Sequence, residues 1–126
     1  FWMPFASSIL EEDLDRYMLN SDLINSSYMI MAYNSSKEAY KDIIAGLHPF
    51  DLTCRPQAVS RSRNPDYHKM ITNFKEKTGI GGVLNTSFNL HGSPIVGNPE
   101  TAIQTLLDSE LDFLAIEDYI VTVRNR

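Results

Sequence analysis

Helix and strand signals alternate along this chain, and the alternation predicts an α/β (α+β) fold: one compact domain, a twisted mixed sheet with helices packed on it. Three observations carry that reading. Four segments have helix start and stop signals, five short runs between them look like strands, and no internal repeat or flexible linker separates them. The length of 126 residues is enough for one core without disulfides or a structural metal. A hydrophobic content of 43% with 10% aromatics excludes disorder and low-complexity spacer.

The elements follow in order. Ser8 with Glu11 fits a capping box for a first helix, with Leu10, Leu14 and Tyr17 on one face. The run from Tyr28 to Tyr33 is aromatic and apolar and reads as a strand. Ser35 with Glu38 repeats the capping pattern; Ala39, Tyr40, Ile43 and Ile44 form the apolar stripe, and Gly46 stops the helix. Thr53 to Ser60 is extended around Pro56. Asn64-Pro65 opens a third helix with Tyr67, Met70, Ile71 and Phe74 at helical spacing, and Gly79 ends it. Gly82 to Asn85 is a short apolar strand. Asn98-Pro99 opens the fourth helix, with Ala102, Ile103, Leu106 and Leu107 facing inward. Phe113 to Ile116 and Tyr119 to Val123 complete the strands.

Composition narrows the function classes. Lys plus Arg is 11 and Asp plus Glu is 16, for a net charge of −5, which argues against a nucleic-acid binder. No apolar run approaches the roughly 20 residues that span a bilayer, so no membrane partner is expected. The single cysteine, Cys54, cannot form an internal disulfide and points to the reducing cytoplasm. The apolar opening Phe1-Trp2-Met3-Pro4 suggests a strand cut from something longer, so residues 1–126 read as the C-terminal piece of a larger protein.

Charge is unevenly spread. From Arg55 to Lys77 six basic residues meet only Asp66 and Glu76, a local +4 inside an acidic chain. That suggests a local anion site rather than a nucleic-acid face. Lys69, Lys75 and Lys77 have the spacing of a solvated helix surface, and Glu11-Glu12-Asp13 suits the start of a helix in water. Arg55 differs, because it sits in an extended run where a guanidinium fork can be aimed at a pair of phosphate oxygens.

The most informative stretch is Gly81 to Gly92. A short apolar strand runs into Asn85, Thr86, Ser87 and Asn89, whose donors and acceptors suit a ribose, a phosphate or a carbamoyl amide. Strand ends in α/β sheets are where ligands collect, although Asn, Ser and Gly also form plain turns. His91, within the polar stretch, is a candidate ligand contact. His48 reads as structural and His68 as a surface or edge residue. The three histidines have no metal-ligand spacing, and Cys54 has no obvious base, which argues against a thiol nucleophile.

At Asn85-Thr86-Ser87-Phe88-Asn89 the sequence resembles the C-terminal domain of the O-carbamoyltransferases of nodulation-factor and antibiotic biosynthesis. The resemblance extends to Phe1-Trp2-Met3-Pro4-Phe5-Ala6, Arg55-Pro56-Gln57, Asn64-Pro65 with Tyr67-His68, Gly92-Ser93-Pro94-Ile95-Val96 and Leu111-Asp112. It implies a YrdC-like domain that makes a carbamoyl-adenylate from carbamoyl phosphate and ATP, with magnesium accompanying the nucleotide. It also implies an upstream actin-like domain of the same chain, holding the metal, that passes the carbamoyl group to a hydroxyl of a small molecule. By the same resemblance Arg55 binds phosphates, Ser87 and Asn89 hold the nucleotide, and Asn85 and Thr86 shape the pocket. Arg61 and His91 are further expected contacts. Met3 stands where many members carry arginine, a loss that would either weaken carbamoyl phosphate binding or move that role to Arg61 or Arg63. The rival reading is a non-catalytic nucleotide-binding or docking module that braces a partner domain.

Overall fold

The computed structural model describes residues 5–21 and 26–124, so the expected opening strand at Phe1 to Pro4 lies outside the described residues. The fold is α+β, with four α-helices and mixed sheets among the described residues. Its contacts divide into two compact units, parted between Thr86 and Ser87.

In the first unit a three-stranded sheet has β1 (Ala6–Leu10) at its centre. It runs parallel to β4 (Gln57–Val59) and antiparallel to β5 (Gly82–Asn85), so the sheet is mixed, as expected. Every residue of β1 is buried. Ser8 is therefore not a helix cap. It is completely enclosed, because a strand paired on both edges and covered on both faces buries its polar positions with its apolar ones. The helical signal behind it is real but later and shorter. A 3-10 turn at Glu11–Asp13 leads into α1 (Leu14–Tyr17), whose Leu14 and Tyr17 are buried as expected.

Tyr28 to Tyr33 is not a continuous strand. Only Tyr33 and Asn34 pair, as β2 (Tyr33–Asn34) against β3 (Thr53–Cys54), while Tyr28 and Ile30 are exposed and Met29 has φ +56. A left-handed residue interrupts any extended run. α2 (Lys37–Asp42) is capped by Ser36, not Ser35: the Ala39 N–H donates to Ser36 Oγ at 3.1 Å, and Ser35 Oγ donates to the Leu52 carbonyl. α2 ends before Gly46, which closes a separate 3-10 turn, Ile44–Gly46. Ala39 and Ile43 are buried, but Tyr40 and Ile44 face solvent, so the apolar stripe is half as wide as its sequence suggests. Pro56 divides the expected run from Thr53 to Ser60 into β3 and β4, since it has no N–H to give a ladder.

α3 (Pro65–Thr78) follows its signals closely. Asn64 Oδ1 accepts from the Tyr67 N–H, Pro65 occupies the first turn, and Gly79 takes φ +78 while its N–H donates to the Lys75 carbonyl at 2.7 Å. Of its expected apolar face only Ile71 is fully buried; Met70 and Phe74 are largely exposed. Two apolar clusters cover the sheet. Ile9 and Ala58 join Leu14, Tyr17, Met18, Ala39 and Cys54 on one face, and Leu10 and Val59 join Ile71 on the other, with Tyr67 and Val83 beside them.

The second unit contains α4 (Pro99–Asp108) and the hairpin of β6 (Phe113–Ile116) and β7 (Tyr119–Thr122). Asn98 caps α4 through the Thr101 N–H at 2.8 Å, and Thr101 returns the bond in a capping box. Ala102 and Leu106 are buried one turn apart, whereas Ile103 and Leu107 are partly exposed.

Ile71 is the one fully buried side chain by which α3 grips the sheet. Ile71→Ala should lower stability by about 3 kcal/mol, the usual cost of emptying such a site. Urea unfolding followed by circular dichroism measures this; a loss under 1 kcal/mol would mean that α3 is held by something else.

Candidate functional site

The site in the first unit begins with strand register. Ser8 lies opposite Gln57 in β4 and opposite Val83 in β5, and Ala6 lies opposite Asn85. Because side chains alternate along a strand, Ala6, Ser8 and Leu10 share one face with Gln57, Val59, Val83 and Asn85. That face has two ends. Leu10, Val59 and Val83 lie at the end packed under Ile71 and Tyr67 of α3, and Ser8, Gln57 and Asn85 lie at the other.

These three polar side chains are bonded to one another across all three strands. Ser8 Oγ donates to Gln57 Oε1 at 2.8 Å, and Asn85 Nδ2 donates to Ser8 Oγ at 3.0 Å and to Gln57 Oε1 at 3.2 Å. Met29 Sδ lies 3.9 Å from the same nitrogen. The outer edge of β4 is closed by Ser26, whose carbonyl accepts from the Ala58 N–H and whose Oγ donates to the Pro56 carbonyl at 2.6 Å. Asn85 is thus a fixed side chain at a strand end, and Thr86 beside it is exposed.

Sequence reasoning missed Ser8 and Gln57 as members of this group. The spacing Ala6-x-Ser8-x-Leu10 carries the two-residue period of a strand, but the Ser8/Glu11 pair mimics a cap and hides it. Gln57 lies in the Arg55-Pro56-Gln57 stretch, yet nothing in the sequence says that it faces Ser8.

The arginines differ in their commitments. Arg55 lies in the connection between β3 and β4 and Arg61 in the turn before α3; both are exposed and neither has an ion pair among the described residues. Arg63, in the same turn as Arg61, donates to Ser27 Oγ, and Ser60 and Ser62 share a hydrogen bond of 2.9 Å beside it. Lys75, expected as solvated surface, instead pairs with Asp13 at 2.7 Å. Asp13 is buried, contrary to the reading of Glu11-Glu12-Asp13 as wholly solvated, because the 3-10 turn rotates it toward α3. Among the described residues Lys75 alone of the six basic residues is in an ion pair, so Arg55 and Arg61 keep their charge free, as do Lys69 and Lys77 on α3.

In the second unit Ser87, Asn89 and His91 occupy a loop that Asn89 holds together. Ser87 Oγ donates to Asn89 Oδ1 at 2.5 Å, and Asn89 Nδ2 donates to the carbonyls of Leu90 and Ser93 at 3.0 and 2.9 Å. The Val96 N–H closes the loop onto the Phe88 carbonyl at 3.0 Å. Both ends of the Asn89 amide are committed to the loop, and Ser87 is exposed. His91 is exposed. An open hollow of about 320 Å³ lies between this loop and α4, lined by Leu90, Ile95, Val96, Thr101 and Asp108 among others. None of the candidate site residues lines it.

Cys54 is 2% exposed, and burial pushes its thiol up to about 11, against weaker opposing contributions from Ser7 and Arg55. A thiol so protonated at neutral pH is no nucleophile. His68 Nε2 lies 3.0 Å from Glu12 Oε1, which gives it an edge role, and His48 pairs with Asp51 at 3.1 Å. Among the described residues no three His, Cys, Asp or Glu side chains converge as metal ligands, and no helix is long and apolar enough to cross a membrane.

Comparison with known proteins supplies the class. Residues 1–123 match the family described as the carbamoyltransferase C-terminus, and the chain belongs to that family. It is 40% identical over 121 residues to an uncharacterised protein of Methanocaldococcus jannaschii, covering 96% of this chain and 19% of that protein. It is 35% identical to the nodulation protein NolO of Bradyrhizobium diazoefficiens and 32% to the nodulation protein NolNO of Sinorhizobium fredii, each over 98% of this chain. These alignments cover 22% and 18% of the two nodulation proteins, so the chain spans about a fifth of the length of the curated relatives it matches.

The buried thiol gives a direct check. Cys54 should react with Ellman's reagent at pH 8 at least 100-fold more slowly in the native protein than in urea. The folded thiol ionises near 11 and the unfolded one near 9, so its contribution to stability is whole below pH 9 and is lost as pH rises toward 11. The loss is on the order of 2–3 kcal/mol. Fast native-state labelling would place Cys54 at an accessible surface instead.

Proposed function

We propose that this chain is the part of an O-carbamoyltransferase that binds ATP and carbamoyl phosphate and forms a carbamoyl-adenylate. An upstream actin-like domain with its own metal would then pass the carbamoyl group to a hydroxyl of a small molecule. The observation that carries this reading is the family match over residues 1–123, in a chain whose Arg55 and Arg61 are exposed and make no ion pair among the described residues.

The chemistry asks for what these residues can supply. Carbamoyl phosphate gives up inorganic phosphate to water, leaving a carbamate oxygen that attacks the α-phosphorus of ATP as pyrophosphate departs. Negative charge spreads over the phosphoryl oxygens during that step, and a guanidinium fork stabilises it. Arg55 has that role, with Arg61 as a second cation on the same anion. Asn85, held by Ser8 and Gln57, and the exposed Thr86 shape the pocket at the strand end. Ser87 contacts the nucleotide, Asn89 holds the loop that presents it, and His91 is a peripheral contact. Magnesium, when bound with ATP, would neutralise the phosphate charge that the arginines leave.

The test is Arg55→Ala in the intact protein. Carbamoyl-phosphate-dependent release of pyrophosphate should fall by at least 100-fold, about 3 kcal/mol of transition-state stabilisation. Arg55→Lys should recover only part of it, because a point charge does not reproduce the fork. Near-normal turnover in Arg55→Ala would remove Arg55 from the mechanism.

A further inference from the structure

The bonds within the Ser8–Gln57–Asn85 cluster leave two polar groups unspent. Gln57 Oε1 accepts from Ser8 and from Asn85, and Asn85 Nδ2 donates to both partners. Gln57 Nε2 and Asn85 Oδ1 have no hydrogen-bond partner among the described residues. An amide –NH2 and an amide C=O are therefore left over on two side chains joined at 3.2 Å. Turning both amides over exchanges the two roles but leaves the same pair, one free donor group and one free acceptor.

That pair selects its ligand. A phosphate offers only acceptors and would set an oxygen against the free carbonyl. A ligand carrying a carbonyl oxygen next to an –NH2 matches both groups at once, and the carbamoyl group has that form. The frame is rigid on the protein side: Ser8 is wholly enclosed, and each of the three side chains belongs to a different strand of one sheet. Ala6, opposite Asn85 in the ladder, and the Met29 sulfur, both uncharged, lie beside the amides.

We propose that Gln57 and Asn85 form the carbamoyl-recognising subsite, with Gln57 donating to the carbamoyl oxygen and Asn85 accepting from the carbamoyl nitrogen. Ser8 is a positioning residue that orients the Gln57 amide. The inference rests on the proposed function for its choice of ligand, and it assigns the discrimination of substrate to Gln57 and Asn85. The adenine base presents a similar edge, an amino group beside a ring acceptor, so the experiment separates the two.

The intact protein is titrated by calorimetry with carbamoyl phosphate, with acetyl phosphate, in which a methyl replaces the amino group, and with AMP. The wild type should bind carbamoyl phosphate at least 10-fold more tightly than acetyl phosphate. Gln57→Glu should reduce that preference to within about twofold and leave AMP affinity within twofold, and Asn85→Ala should likewise reduce the preference to within about twofold. Equal binding of the two acyl phosphates by the wild type overturns the subsite, whatever the variants do. Variants that lose AMP affinity and keep the preference would assign the edge to adenine and also overturn it. Preference without carbamoyl-dependent pyrophosphate release would leave the subsite standing and remove the adenylation reading; release without preference would do the reverse.

Discussion

The first unit is organised around the enclosure of β1. This five-residue strand gives its backbone to β4 on one side and β5 on the other, and both of its faces are covered. A backbone group buried without a partner costs a large part of a hydrogen bond's strength, so neither neighbour can slip or leave cheaply. Register is fixed with it, because a shift of one residue would turn Leu10 out of the α3 cluster and Ser8 away from Gln57 and Asn85.

A second constraint sets how β5 enters the sheet. The Gly81 carbonyl accepts from the Leu10 N–H at 2.9 Å, and its N–H donates to the Tyr17 hydroxyl at 3.3 Å. A Cβ at Gly81 would lie 1.8 Å from Asp13 Oδ2, so only glycine lets the chain pass beside that carboxylate. Lys75 neutralises Asp13 from α3. Removing the lysine would leave a buried charge without a partner, which is far more costly than losing an exposed ion pair. The ion pair and the glycine hold α3 and β5 together at one end of the strand, and Asn85 stands at the other.

Helix ends were legible wherever the signal is a covalent property of the chain. Asn64-Pro65 and Asn98-Pro99 fix φ at the first turn and supply a cap acceptor, and both helices start there; Gly79 stops α3 because it takes φ +78 without strain. The strands at Gly82–Asn85 and Phe113–Ile116 were likewise readable from their apolar runs. The failures have one cause. Ser8/Glu11 and Ser35/Glu38 have the spacing of capping boxes, but Ser8 was drawn into a strand by partners 49 and 77 residues away, and Ser36 took the cap that Ser35 seemed to offer. Met70, Phe74, Tyr40 and Ile44 lie at helical spacing, yet spacing cannot say which half of an apolar stripe is covered.

The sequence by itself determined the α+β class, the acidic balance with its basic segment, the polar strand end at Asn85, and the motifs that mark a member of the carbamoyltransferase C-terminus family. These are properties of composition and near neighbours. Only the tertiary structure decided that Ser8, Gln57 and Asn85 are one hydrogen-bonded group, that Lys75 is paired while Arg55 and Arg61 are not, and that Asn89 is committed to its own loop. Those facts depend on side chains brought together across long stretches of chain. A hydrogen bond or ion pair of that kind exists only when register and burial have been settled by the whole sheet.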